Sequence, residues 1–138
     1  MTAAHIMSIT AKRLKPNDTL LDALGAFAVD FASELPVVDS DGRVLGGLGA
    51  DALMRAIQSD EGKEHDADWL LSVKVGGVLR QECLTIGPEA SFSEAAKCLM
   101  SAWPQSRTVM VVDNEKRLLG VISEKDFLRG FYKYAGTV

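Results

Sequence analysis

Apolar residues recur at helical spacing in two stretches of the chain. Recurrence every three or four residues predicts an amphipathic helix with one buried stripe. The stripe residues are Leu20, Ala23, Leu24, Phe27 and Phe31 in the first stretch, and Phe92, Ala95, Ala96, Leu99, Met100 and Trp103 in the second. Each helix is predicted to begin at a capping box, Thr19 with Asp22 and Ser91 with Glu94, in which each side chain covers the other residue's backbone N–H.

Two short apolar runs follow each helix, separated by a polar connector that suits a hairpin turn. The predicted hairpin strands are 35–38 with 43–48, and 109–112 with 117–123. A short strand is predicted before each helix, at 14–16 and 84–88, and a last helix at 51–57 and 124–132. The predicted unit is therefore β-α-β-β-α, used twice, and no element is predicted in residues 1–13.

The two stretches are copies of one unit. A shift of 72 residues aligns Pro16 with Pro88, and a shift of 74 aligns residues 37–55 with their counterparts at seven identical positions out of 19. Unrelated sequences would share about one. We call residues 14–57 copy one and residues 86–131 copy two. The predicted domains are 1–57 and 75–138, joined by a linker at 58–74, and the fold class is α+β.

Composition narrows the function. At 138 residues each half is small enough to need a shared core. A net charge of −4 argues against nucleic acid as a partner, which requires a clustered cationic face. No secretory signal and no apolar run long enough to span a membrane is present, so a cytoplasmic protein without a membrane partner is expected. Cys83 and Cys98 lack a CxxC spacing, and neither zinc nor a disulfide framework is indicated.

The stretch Gly120-Val121-Ile122-Ser123-Glu124-Lys125-Asp126 carries the candidate binding chemistry. Ser123 stands at a predicted helix start, where unpaired N–H groups and the helix dipole favour an anion. Asp126, one turn later, can accept from two vicinal hydroxyls of a ribose. The same spacing is also a capping box, so a purely structural role stays open. Copy one has Gly49 and Ala52 at these positions, and its ribose site is predicted to be lost.

This doubled unit, with Leu35-Pro36-Val37-Val38-Asp39 in copy one and the stretch ending at Asp126 in copy two, is similar to a pair of cystathionine-β-synthase (CBS) domains, the Bateman module. The resemblance covers nearly the whole chain, as in a stand-alone pair. It implies two sheets packed face to face about a pseudo-twofold axis, two clefts that often hold adenosine derivatives, and pairing into homodimers. By this resemblance the nucleotide-binding residues are Asp126 and Ser123 at the ribose, Arg107 at the phosphate, and Thr85, Ile86 and Gly87 at the adenine. A surface role for Arg107 and a core role for Ile86 stay open.

The resulting hypothesis is a regulatory module that binds AMP, ADP or ATP in the cleft built on copy two and relays occupancy to an unknown regulated protein. No cofactor is required. The alternative is a protein-interaction or dimerisation module with no small ligand. An enzyme is not expected, because the two histidines, His5 and His65, accompany no nucleophile or base, and the acidic residues of the linker follow no metal-ligand spacing. A self-association surface is predicted from Trp69, Leu70, Leu71, Phe131, Tyr132 and Tyr134.

Overall fold

The computed structural model describes residues 1–9, 12–29, 33–58, 67–104 and 106–136. Over those residues the fold is mixed α+β. The helices are α1 (Ala3–Ile6), α2 (Leu20–Val29), α3 (Ala50–Gln58), α4 (Ala67–Ser72), α5 (Phe92–Ser101) and α6 (Glu124–Gly136), with a 3₁₀ turn at Val75–Gly77. The strands are β1 (Glu34–Val38), β2 (Val44–Gly49), β3 (Leu84–Ile86), β4 (Thr108–Val112) and β5 (Leu118–Ser123).

The strands form two small sheets, one in each copy. In copy one, β1 and β2 form an antiparallel hairpin, and in copy two β3 lies parallel to β4, which pairs antiparallel with β5. The strand predicted at 14–16 is reduced to one bridge: Leu14 N–H donates to Pro36 O at 2.8 Å, and Leu14 O accepts from Val38 N–H at 2.9 Å. Pro16 lacks the N–H that would continue the ladder, so that strand prediction was too long.

The helices cover one face of each sheet, and the two other faces meet. The core of copy one is built on Leu20, Leu35, Val37, Leu48 and Leu53, and that of copy two on Ala95, Leu99, Val109, Val111 and Ile122. A third cluster joins Val38 of β1 to Met110, Leu118 and Val121 of the other sheet. Because side chains alternate between the faces of a strand, each sheet has one face for its helices and one for the opposite copy.

The segment before each copy packs on the other copy. Ala3 of α1 is fully buried in the core of copy two, and Ser8 exchanges backbone hydrogen bonds of 2.8 and 3.0 Å with Val121. Seventy-two residues later, Val75 is fully buried in the core of copy one, and Arg80 exchanges bonds of 2.9 and 2.8 Å with Gly47. The prediction that residues 1–13 contain no helix or strand was therefore wrong, since α1 lies there.

Tertiary packing explains that error. Ile6 of α1 packs where Gly130 of α6 leaves room, since a Cβ at Gly130 would collide with the Ile6 side chain. A four-residue helix has no stability of its own and depends on such contacts. The predicted domain boundaries stay a prediction. The core of copy one includes Val75 from the second predicted domain, and the core of copy two includes Ala3 and Ile6 from the first.

The hairpin turns meet at the pseudo-twofold axis. Arg43 and Arg117, 74 residues apart, form a bridge. Val44 N–H donates to Lys116 O at 3.0 Å, and the equivalent Leu118 N–H donates to Gly42 O at 2.9 Å. Such reciprocal bonds between equivalent positions are what a twofold relation between the copies produces.

The linker is described only in part. Residues 59–66, with Glu61, Glu64, His65 and Asp66 of the predicted acidic loop, lie outside the described residues, as does Phe31. The linker ends in α4, where Trp69 and Leu70 are half-buried against the core of copy one while Leu71 is exposed. Two of the six residues predicted for self-association therefore belong partly to the core.

Candidate functional site

Ser123 and Asp126 form a closed capping box at the start of α6. Asp126 Oδ2 accepts hydrogen bonds from Ser123 N–H at 3.0 Å and from Ser123 Oγ at 2.9 Å, and Ser123 Oγ accepts from Asp126 N–H at 3.2 Å. Both residues are half-buried. The carboxylate is thus held by one oxygen, and no described residue forms a hydrogen bond with Oδ1.

A capping box of this kind needs no ligand to account for it. Thr19 and Asp22 form the same arrangement at α2: Asp22 Oδ2 accepts from Thr19 N–H at 2.9 Å, and Thr19 Oγ1 accepts from Asp22 N–H at 3.1 Å. These hydrogen bonds hold the pKa of Asp22 below its usual value. Asp126 differs from Asp22 in being half-buried rather than exposed, in the first turn of α6 directly after β5.

Arg107 lies at the same end of the copy-two sheet. Its neighbour Thr108 pairs with Ser123 across β4 and β5. The Arg107 guanidinium carbon lies 5.1 Å from the centroid of the Trp103 ring, and Nη1 lies 4.0 Å from Glu124 Oε1. Both partners of that ion pair are nearly half-exposed, so the pair is weak and the guanidinium remains available to an anion.

Thr85, Ile86 and Gly87 are not brought into contact with Ser123 and Asp126. Thr85 of β3 pairs with Met110 of β4, whereas Ser123 of β5 pairs with Thr108 of β4. Thr85 and Ser123 are therefore offset by two residues along the strands and by two strands across the sheet. That offset corresponds to about 7 Å along the strands and about 10 Å across them. Ile86 packs against the core of copy two, while Thr85 is exposed on the opposite face of β3, and Gly87 follows the strand in the open. Their role at an adenine stays a prediction.

The described residues line a cavity of about 550 Å³ that is open to solvent and lies between the copies, mainly on the copy-one side. The start of α3 and the end of β2 form one wall, and residues that precede β3 and β4 form the other. Its lining residues are Ser33, Glu34, Gly49, Ala50, Asp51, Met54, Arg55, Arg80, Pro104 and Arg107. Arg107 therefore contacts the copy-one cavity as well as the start of α6. We call this the copy-one cavity.

Glu34 is the buried charged group of this cavity, at 7% exposure. Burial is the main reason that the pKa of Glu34 is raised above its usual value, and the charge of Asp51 adds to the rise; a hydrogen bond from Ser106 and the charge of Arg80 oppose it. The bond joins Ser106 Oγ to Glu34 Oε2 at 3.3 Å. Burial likewise raises the pKa of the nearby Cys83 thiol.

Sequence reasoning missed Glu34 and Arg80. A signal existed for Glu34, because it adjoins Leu35 in an apolar strand and is equivalent to Thr108 at the 74-residue shift. Arg80 gave none: it lies between elements, and its position depends on pairing with Gly47 of the other copy. A Cβ at Gly49 would collide with Asp51 Oδ1, the end of a movable side chain. The loss of a ribose site in copy one stays a prediction.

The CBS domain family model matches this chain twice, at residues 3–59 and 75–133. These segments cover most of the chain. The protein belongs to the CBS domain family. The two matches correspond to the two copies, and the two sheets with their outer helices form a CBS pair. No curated protein matches the chain.

Solved CBS structures share this fold. A putative acetoin utilization protein (AcuB) from Vibrio cholerae superposes with a TM-score of 0.82 at 19% identity, covering 99% of this chain and 93% of that one. CBSX2, solved in complex with AMP, superposes with a TM-score of 0.77 at 20% identity, covering 97% of this chain and 98% of that one. The CBS domain pair of protein MJ0100, in complex with 5′-methylthioadenosine and S-adenosyl-L-methionine, gives 0.77 at 16% identity, covering 97% and 98%.

In the part of the chain that the structure describes, no helix is both long and apolar enough to cross a bilayer. No group of three or more histidine, cysteine, aspartate or glutamate side chains there is arranged to hold a metal ion.

Proposed function

We propose that this CBS pair is a regulatory module that binds an adenosine compound, with AMP, ADP and ATP as candidates, in the cleft built on copy two. The observation that carries the proposal is that only one carboxylate oxygen of Asp126, at the start of α6, accepts hydrogen bonds from described residues. Oδ2 is occupied by the cap, whereas Oδ1 has no partner among the described residues. A carboxylate oxygen in a partly buried cleft is a strong acceptor for hydroxyl donors such as those of a ribose.

The surroundings of Asp126 favour a phosphorylated ligand. The 13-residue helix α6 directs its first N–H groups and the positive end of its dipole toward the same end of the sheet as Arg107. A hydroxyl acceptor, a helix N-terminus and an arginine together match a ribose joined to a phosphate. The complexes of CBSX2 with AMP and of the MJ0100 pair with adenosine compounds support this ligand class.

We propose that occupancy is relayed through the interface between the sheets. Val38 of copy one packs directly on Met110 and Val121 of copy two, so a ligand in the cleft bears on both halves. Because packed cores respond in discrete arrangements rather than continuously, ligand binding changes the relative geometry of the copies. A partner protein that contacts both copies would sense that change.

Pairing into a homodimer is also proposed, since α6 exposes a row of large apolar residues. At least half of the surface of each is exposed in Leu128, Phe131, Tyr132 and Tyr134. Phe131 also lies 5.6 Å from Phe92, which stacks on Phe127 at 4.4 Å, so this aromatic group connects the helix surface to the core of copy two. This observation also favours the alternative function, an interaction module without a small ligand.

Calorimetric titration with AMP, ADP, ATP and S-adenosylmethionine, together with thermal denaturation, tests the nucleotide proposal. We expect about one ligand per chain. At about 100 times its Kd, a ligand adds about 2.7 kcal/mol to the free energy of unfolding and raises Tm by several degrees. Absence of binding and of any Tm rise at millimolar concentration would favour the interaction module.

Asp126→Asn separates the ligand role from the cap, and Asp22→Asn is its matched control. The amide oxygen can still accept from Ser123, so the cap is largely kept, and we expect a loss of about 1 kcal/mol of stability. The charged acceptor for the ribose hydroxyls is lost, and affinity should fall at least about tenfold. Asp22→Asn makes the same change in an equivalent cap and should leave affinity unchanged. If both variants bind the nucleotide as tightly as wild type, Asp126 is a helix cap and not a ligand residue.

A further inference from the structure

The copy-one cavity has the composition of an anion site rather than a nucleoside site. Arg55 of α3, Arg80 before β3 and Arg107 before β4 reach it from three separate parts of the chain. Copy one has Ala52 where copy two has Asp126, so the carboxylate proposed to bind the ribose in copy two has no equivalent at that position. A volume of about 550 Å³ greatly exceeds the space of one water molecule and admits a small phosphorylated compound.

We propose that the copy-one cavity binds a tetrahedral oxyanion, phosphate or sulfate in chemistry, through its three arginines, and that Glu34 takes up a proton when the anion enters. The oxyanion is either a free inorganic ion or the phosphate of a small ester, since both present the same oxygens to the guanidinium groups. The proposal concerns a second site, which shares Arg107 with the copy-two cleft but does not depend on nucleotide binding there.

The charges of the cavity favour an anion when Glu34 is protonated. Two carboxylates, Asp51 and Glu34, face three arginines. Asp51 lies 3.4 Å from Arg55 Nη1 and compensates that charge in part. Arg107 lies over the Trp103 ring and has a long, half-exposed ion pair with Glu124. With Glu124 counted, three carboxylates balance the three arginines when Glu34 is ionised, so the cavity gains a net positive charge only when Glu34 is protonated.

Glu34 couples the site to pH because of where its carboxyl group lies. It is buried in the cavity wall, and the groups that face it are the Ser106 hydroxyl, the charges of Arg80 and Asp51, and the Cys83 thiol. Burial already raises the pKa of Glu34, and a bound anion adds negative charge nearby, which raises it further. The protonated carboxyl no longer repels the anion and can donate a hydrogen bond to it.

Sulfate is the appropriate probe, since its charge does not change between pH 5.5 and 7.5 and any change in affinity reports on the protein. Calorimetry on the full chain, at constant ionic strength set with sodium chloride, should show binding that is several-fold tighter at pH 5.5. One proton can account for at most about tenfold per pH unit. Titrations in two buffers of different ionisation enthalpy should show uptake of up to one proton. A second arm with glycerol phosphate distinguishes a free ion from an ester: tighter ester binding identifies a phosphorylated metabolite, and equal or weaker binding identifies the inorganic ion.

Three variants test the assignment. Arg80→Gln should weaken sulfate binding at least about tenfold, because a charge-assisted contact is lost while the backbone pairing with Gly47 is kept. Lys97→Gln changes the net charge equally on the exposed face of α5, away from the cavity lining, and should have no effect. Glu34→Gln should bind sulfate more tightly than wild type at pH 7.5 and lose the pH dependence.

The result that overturns the site is equal sulfate affinity in wild type and Arg80→Gln. Binding by wild type that neither depends on pH nor takes up a proton overturns the role of Glu34, whatever the Glu34→Gln variant does. Asp126→Asn should retain sulfate binding. Failure of the nucleotide proposal and failure of this one therefore give different results.

Discussion

Exchanging two glycines for alanine, one in β2 and one in α2, should change stability in opposite directions. Gly46 packs against the segment that precedes copy two: a Cβ there would meet the backbone carbonyl oxygen of Arg80 and the side chain of Leu79. The Arg80 backbone cannot retreat freely, because it exchanges two hydrogen bonds with Gly47. Gly25 lies on the exposed side of α2, with no atom within 4 Å of its Cβ position.

The magnitudes follow from these surroundings. Overpacking costs about 1–3 kcal/mol, and the alanine recovers about 0.4–1 kcal/mol by restricting the unfolded chain. Gly46→Ala should therefore lose about 1–2 kcal/mol, which for a chain of this size lowers Tm by roughly 3–10 °C. Gly25→Ala should gain about 0.5–1 kcal/mol, since glycine is a poor helix former, and raise Tm by about 2–4 °C.

The two variants share the same effect on the unfolded chain, so their difference reports on the folded state. Chemical denaturation of both, with unchanged denaturant slopes, measures that difference. If Gly46→Ala is as stable as Gly25→Ala, the close approach of Arg80 to β2 does not exist in solution, and the exchange of segments between the copies is refuted.

Glu34→Gln should change how stability depends on pH. Because the folded protein holds the pKa of Glu34 above its ordinary value of 4.5, the folded state binds more protons, and wild-type stability should fall as pH rises from about 4.5 through the raised pKa. Chemical denaturation between pH 5 and 8 should show that the stability of Glu34→Gln relative to wild type increases with pH; a constant difference would contradict the pKa shift. Self-association through α6 should be abolished by Tyr132→Glu, which adds a charge to a side chain that is 80% exposed and so leaves the fold intact. Sedimentation at tens of micromolar should then report a dimer for wild type and a monomer for the variant, with Lys125→Glu as a control; a wild-type monomer would remove the proposed homodimer.

The sequence by itself determined the repeated unit and most of its elements. Local signals sufficed there: the capping boxes at Thr19 and Ser91 have the predicted hydrogen bonds, and the hairpin strands were predicted to within one residue of their ends. The Ser123–Asp126 pair was also found from spacing, because residues three apart on a helix start are always neighbours. The family resemblance rested on these same local motifs.

Only the tertiary structure decided which segments of the chain pack into the core of each copy from outside it. Val75 and Ala3 are buried, and Arg80 lies at the copy-one cavity, because of contacts with residues far along the chain. Such contacts depend on how two faces fit, for example Ile6 against Gly130, and leave no periodic trace in the sequence. The charged wall of the cavity is of the same kind. Glu34 looked like an ordinary charged residue before a strand, and it is burial between the copies that raises its pKa.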